Sequence, residues 1–147
     1  MIITASEFLN SGMPVSTDIA DAEVEMAIKT VEQMYVKQMF GDMWGDIAQN
    51  PGSYPELIDG TSSMAGLKMA EHHLVFAYMI HDDMRLSRYH AVVKDSEHST
   101  NPSRADLLSI AKHHWEIGMA FVDECSRHAG AGRDNHTSNL IFNELVF

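Results

Sequence analysis

Nine histidines, a single cysteine and twenty-one carboxylates are the side chains here that could hold a metal or act as nucleophile or base. A di-metal carboxylate centre in a helical bundle needs Glu-x-x-His steps, because that spacing projects both ligands from one helix face. The residues three before His72, His73, His81, His113 and His114 are Met69, Ala70, Tyr78, Ile110 and Ala111, so none of these is such a step. No His-Glu-x-x-His occurs, and no two histidines stand four apart on a predicted helix. His72 and His81 point to opposite faces of a helix turning about 100° per residue. His73 and His81 lie about 12 Å apart along an axis rising about 1.5 Å per residue, too far to share one ion comfortably. His113/Glu116 and Glu124/His128 are spaced as helical pairs of the kind common on solvated faces. The expectation is no metal and no cofactor.

Nucleophilic chemistry has one candidate. Cys125 and His128 are three apart, and an adjacent imidazole can activate a thiol. Cys125 also falls on the apolar stripe of its predicted helix, and a cysteine buried in helix packing is the preferred reading. One cysteine excludes an intramolecular disulfide and a thiolate zinc cluster. No Gly-x-Ser-x-Gly elbow is present. Gly130-Ala131-Gly132 follows a helix and lacks a P-loop lysine, so it reads as a terminator. With no catalytic residues to name, the chain is expected not to be an enzyme.

The elements that would position these residues are helical. Gly66–Met84 contains the longest apolar run, Leu74 to Ile80, without Gly or Pro. Leu67, Ala70 and Leu74 keep helical spacing, as do Met69, His73, Phe76 and Ile80, which predicts a central helix buried all round by its middle. Upstream, Ser6 is expected to cap a brief turn through Glu7, Phe8 and Leu9. Ser16, Thr17 and Asp18 form an N-cap cluster ahead of a long helix. Its stripe runs Ala20, Val24, Ala27, Val31, Met34 or Tyr35, and Met39, with Glu25, Lys29, Glu32 and Lys37 off it. Gly41 closes that helix. Short helical turns follow at 42–48 and 54–58.

Leu86–Val93 reads either as a continuation of the central helix or as a short β segment near 89–94. After a polar loop, Asn101 or Ser103 caps the last long helix. Ala105, Leu108, Ala111, Trp115, Gly118, Val122 and Cys125 form its stripe, and it ends near His128–Gly130. The eleven methionines fall mostly in predicted helices and read as adaptable core filling. The fold class is all-α: a small bundle of three long helices plus short turns, with a domain over 1–130 and a linker and apolar tail over 131–147.

The net charge of −11 is uneven, with ten acidic and two basic residues in 1–60. Such a surface does not wrap nucleic acid by neutralising phosphates. The first residues lack the basic start of a signal peptide, and the longest apolar run is well short of a membrane span. A soluble, intracellular product with no membrane partner is expected. The tail is unusual: Leu140, Ile141, Phe142, Leu145, Val146 and Phe147 make six apolar residues in the last eight. It either folds back on its own core or docks on a neighbouring subunit or partner.

Several segments together resemble one family. ITASEFLNSGMPVSTDI, EVEMAIKTVEQMYVKQMFGDMWGDI with its Phe-Gly-Asp turn before an aromatic, YPELIDG leading to GLKMAEHHLVFAYMI, RYHAVVKDSEHST and the helix through FVDEC are similar in order and spacing to a group of phage proteins. These are the small helical head-to-tail connector (adaptor, or head-completion) proteins of tailed phages, in the branch from phages and prophages of gut bacteria. The likeness covers about residues 1–130. It implies a structural virion protein, assembled in the bacterial host cytoplasm. Such a protein forms a homo-oligomeric ring with contacts to the portal and to a tail or stopper protein. DNA passes through the ring without sequence-specific binding. A reading from a different class is a helical metal-binding or enzymatic bundle using the histidine-rich helices; a third is a generic helical interaction module.

Overall fold

The computed structural model describes residues 1–15, 19–81 and 104–130. Among these the fold is all-α, with no strand and with an isolated antiparallel bridge between Gly60 and Ala65. The segment proposed as β near 89–94 and the apolar tail lie outside the described residues, as do the capping clusters at 16–18 and 101–103.

The chain opens by tucking Ile2 and Ile3 into the core before α1 (Ala5–Leu9). Thr4 rather than Ser6 caps α1. Its hydroxyl accepts the Glu7 N–H at 3.2 Å, and the Glu7 carboxylate accepts the Thr4 N–H at 2.8 Å. This reciprocal box needs the hydroxyl three residues before the acid, a spacing that Thr4/Glu7 has and Ser6 lacks. Phe8 is thereby turned fully inward.

The next helix is in three pieces: α2 (Asp21–Val31), a π-helical turn (Glu32–Val36) and α3 (Lys37–Phe40). Ala20 stands at the N-cap position with no side-chain cap, and Asp21 and Glu23 in the first turn face the positive end of the dipole. Val24, Ala27, Ile28 and Val31 are buried, and Tyr35 takes the inward place while Met34 is exposed. The π turn interrupts what the spacing predicts as one regular helix. A π turn winds less per residue than an α turn. Val36 and Phe40 therefore stay on the inner face, and Glu32, expected off the stripe, is buried at 3 % exposure.

Gly41, at φ 58°, ends α3 and leads through a 3₁₀ turn into α4 (Trp44–Gln49), whose Trp44 and Ile47 are buried. After a second 3₁₀ turn, α5 (Pro55–Asp59) has proline at its first position and buries Leu57 and Ile58. Gly60, at φ 84°, turns the chain, and Thr61 N–H bonds Met64 O at 2.8 Å. A Cβ at Gly66 would come within 2.4 Å of Ile58 O and Gly60 N, so only glycine fits where this loop crosses itself before α6.

Helix α6 (Leu67–His81) buries Leu67, Ala70, Leu74, Val75, Phe76, Ala77, Met79 and Ile80. Helix α7 (Arg104–His128) packs along it. The predicted stripe of α7 is buried from Ala111 through Trp115, Gly118 and Val122 to Cys125, while Ala105 is exposed and Leu108 half-buried. Gly118 allows the close approach: a Cβ there would lie 2.6 Å from Leu74 Cγ. The Trp115 ring meets Tyr35 edge-on at 4.8 Å, joining α7 to the π turn. Fully burying each of these large apolar side chains is worth about 1.5–3 kcal/mol. Of the methionines, Met39, Met64, Met79 and Met119 fill the core as expected, whereas Met26, Met34 and Met69 are exposed.

Candidate functional site

Three groupings of reactive side chains emerge from this packing. The first spans the α6–α7 seam. His73 and His114 are on different helices, and their Nδ1 atoms stand 2.8 Å apart with near-parallel rings at 24°. Phe76 and Phe121 meet the pair edge-on. At this separation one Nδ1 carries the proton and donates it to the other, so the two rings adopt different tautomers. Burial lowers the pKa of both, and for His114, with His73 and His113 adding to the effect, to about 4. Both rings are therefore neutral at pH 7. Spacings within a single helix carry no sign of this pair, because the packing of two helices brings together residues 41 apart in sequence. Among the described residues no group of three or more His, Cys, Asp or Glu is placed to hold a metal ion.

The second grouping is a buried pair of acids. Glu32, on the π turn, accepts the Ile2 N–H at 2.6 Å and lies 3.7 Å from the Met1 ammonium. Glu71, on α6, is fully buried and neither carboxyl oxygen has a hydrogen bond of good geometry. Burial, and then the charge of Glu32, hold its pKa well above the usual carboxylate range, while the Met1 ammonium and the Ile3 N–H pull weakly the other way. The direction is set by desolvation, which disfavours the charged form. Glu71 is thus biased toward its neutral form, and the pair fastens the amino-terminal segment to the π turn and α6. The sequence holds only a partial signal for the two, their apolar neighbours at helical spacing. Glu71 is four after Leu67 and three before Leu74, and Glu32 lies midway between Ile28 and Val36.

The third is Cys125. Its Sγ donates to Ala65 O at 3.2 Å, and burial, with the charge of Glu124, pushes the thiol up to about 12. No thiolate forms at neutral pH, so the residue serves packing as expected. His128 turns instead to Glu56, with Nε2 3.3 Å from its carboxylate.

The remaining charges are mostly superficial. Lys68 bridges Glu7 at 3.7 Å and Asp59 at 3.2 Å, linking α1 and α5 to the start of α6. Asp21, Glu23, Asp42, Asp46, Glu56 and Asp59 are exposed, so the acidity of residues 1–60 is largely a surface property. The tail residues Leu140, Ile141, Phe142, Leu145, Val146 and Phe147 lie outside the described residues. Among the described helices none is long and apolar enough to cross a membrane.

No family model matches the chain, and no match was found among curated proteins or solved structures.

Proposed function

We propose that the chain is a head-to-tail connector of a tailed phage, a structural subunit of a ring between portal and tail around the DNA channel. The observation that carries this reading lies at the turns of the resemblance. Gly41 in Phe-Gly-Asp and Gly60 in Leu-Ile-Asp-Gly both adopt positive φ, and Gly66 of Gly-Leu-Lys-Met-Ala stands where no Cβ fits. The positions that give the resemblance its order and spacing are therefore positions where the backbone demands those residues, which supports a shared plan of helices and turns.

The surface charge agrees with the same role. Exposed carboxylates on α2, α4 and α5 facing a lumen would repel DNA phosphates and keep the duplex sliding. Subunits associate through helix faces, with Leu140, Ile141, Phe142, Leu145, Val146 and Phe147 docking on a neighbour or on the portal. The partners are copies of the chain itself, the portal and a tail or stopper protein, and the site of action is the virion.

Co-expression with the portal protein encoded in the same genome tests this. Electron microscopy should show a ring on the portal, and the chain should be present in purified virions. Deleting residues 136–147 should weaken assembly. Absence from virions together with no binding to the portal would sink the reading; intact assembly after the deletion would remove the tail from it.

A further inference from the structure

We propose that His73 on α6 and His114 on α7 form a two-imidazole chelate for a divalent transition ion of the copper(II) or nickel(II) type. The two Nδ1 atoms face each other at 2.8 Å across the helix seam, in rings that lie 24° from parallel with centroids 5.1 Å apart. Both rings are half-buried, and the Phe76 and Phe121 edges beside them bring no competing donor. The backbones that carry them are held in place by the Gly118–Leu74 approach, where a Cβ would already clash. The spacing of the two nitrogens is thus a property of the helix packing.

That spacing selects a geometry. With metal–nitrogen bonds of about 2.0–2.1 Å, two nitrogens 2.8 Å apart subtend about 86° at a shared ion. This is close to the right angle between neighbouring positions of a tetragonal or octahedral field. A tetrahedral ion, at about 109°, needs the nitrogens roughly half an ångström further apart. Imidazole ligands in a tetragonal arrangement suit copper(II) and nickel(II). Without an ion, one proton serves two lone pairs; an ion would engage both.

The chelate is bidentate and open. His113 directly precedes His114, so it leaves the helix about 100° away, and its ring is exposed. Water would fill the other positions. A bound ion would bridge α6 and α7 and stabilise the folded chain by mass action. The inference does not depend on the connector reading.

The test uses the full chain, free of any tag, never exposed to metal-affinity resin and stripped with a chelator. Copper(II), nickel(II) and zinc(II) are each titrated in, with melting temperature, stoichiometry and, for copper, the electron paramagnetic resonance spectrum as readouts. The expected result is one equivalent bound, coupling to two nitrogens, a raised melting temperature, and nickel bound more tightly than zinc. His73→Gln and His114→Gln should each lower copper affinity about tenfold or more and remove the melting shift. His113→Ala should leave both unchanged. Equal copper binding by the double variant, loss of binding in His113→Ala, or zinc preferred over nickel would overturn the proposal. The spectrum of the unmutated protein decides the matter even if a variant fails to fold: a copper centre without two nitrogen couplings refutes the chelate.

Discussion

Replacing Gly118 by alanine tests the seam on which the whole arrangement depends. The added Cβ would stand 2.6 Å from Leu74 Cγ, 2.8 Å from Leu74 Cδ2 and 3.0 Å from Ala70 O. Carbon atoms in good contact sit about 3.5–4.0 Å apart, so the two helices must separate by about 1 Å or Leu74 must leave its rotamer. Leu74 is fully buried and Ala70 O is backbone, so neither gives way easily. Overpacking of this kind costs about 1–3 kcal/mol. Against it, alanine in a helix interior is about 1 kcal/mol better than glycine. With backbone among the clashing atoms the cost falls toward the upper end, and the net loss is about 1–2 kcal/mol. For a chain of this size that lowers the melting temperature by about 2–8 °C. Urea unfolding followed by far-ultraviolet circular dichroism measures it directly. Leu74→Ala alone should cost about 2–5 kcal/mol. In that background Gly118→Ala should cost far less, giving a coupling of about 1–3 kcal/mol between the two sites. A Gly118→Ala protein as stable as the parent, or strictly additive effects of the two changes, would refute the close approach of α6 and α7.

Three further outcomes follow from buried groups. Because the Glu71 pKa is raised in the folded state, its contribution is fully present below the ordinary carboxylate range, near 4.5, and is lost as pH rises toward the raised value. Glu71→Gln should therefore stabilise the protein increasingly as pH rises above the ordinary carboxylate range and match the parent near pH 4; an unchanged dependence of the urea midpoint on pH would refute this. Trp115→Ala should cost about 3–5 kcal/mol, because it empties a fully buried site against the Tyr35 edge. A loss under about 1 kcal/mol would contradict that packing. Cys125, buried and donating to Ala65 O, should react with a thiol reagent at pH 8 only as fast as the protein unfolds; prompt labelling of the native protein would show the thiol to be accessible.

Local periodicity determined most of the fold. The apolar run of α6, the α7 stripe from Ala111 to Cys125 and the stops at Gly41 and Gly60 are consequences of nearby residues, and each is legible because side chains three and four apart share a helix face. The fate of Cys125 was legible for the same reason. The polar interior was not. Glu32 and Glu71 sit among apolar neighbours at helical spacing, but whether a carboxylate there faces water or core depends on what packs against it, and the π turn that carries Glu32 inward leaves no mark in a count of spacings. His73 and His114 meet only because α6 and α7 lie side by side at a glycine. The sequence by itself thus determined which segments are helical and which faces are apolar, since those follow from interactions within a turn or two. Only the tertiary structure decided which polar groups are buried together, since desolvation and long-range contact arise when separate helices close on one another.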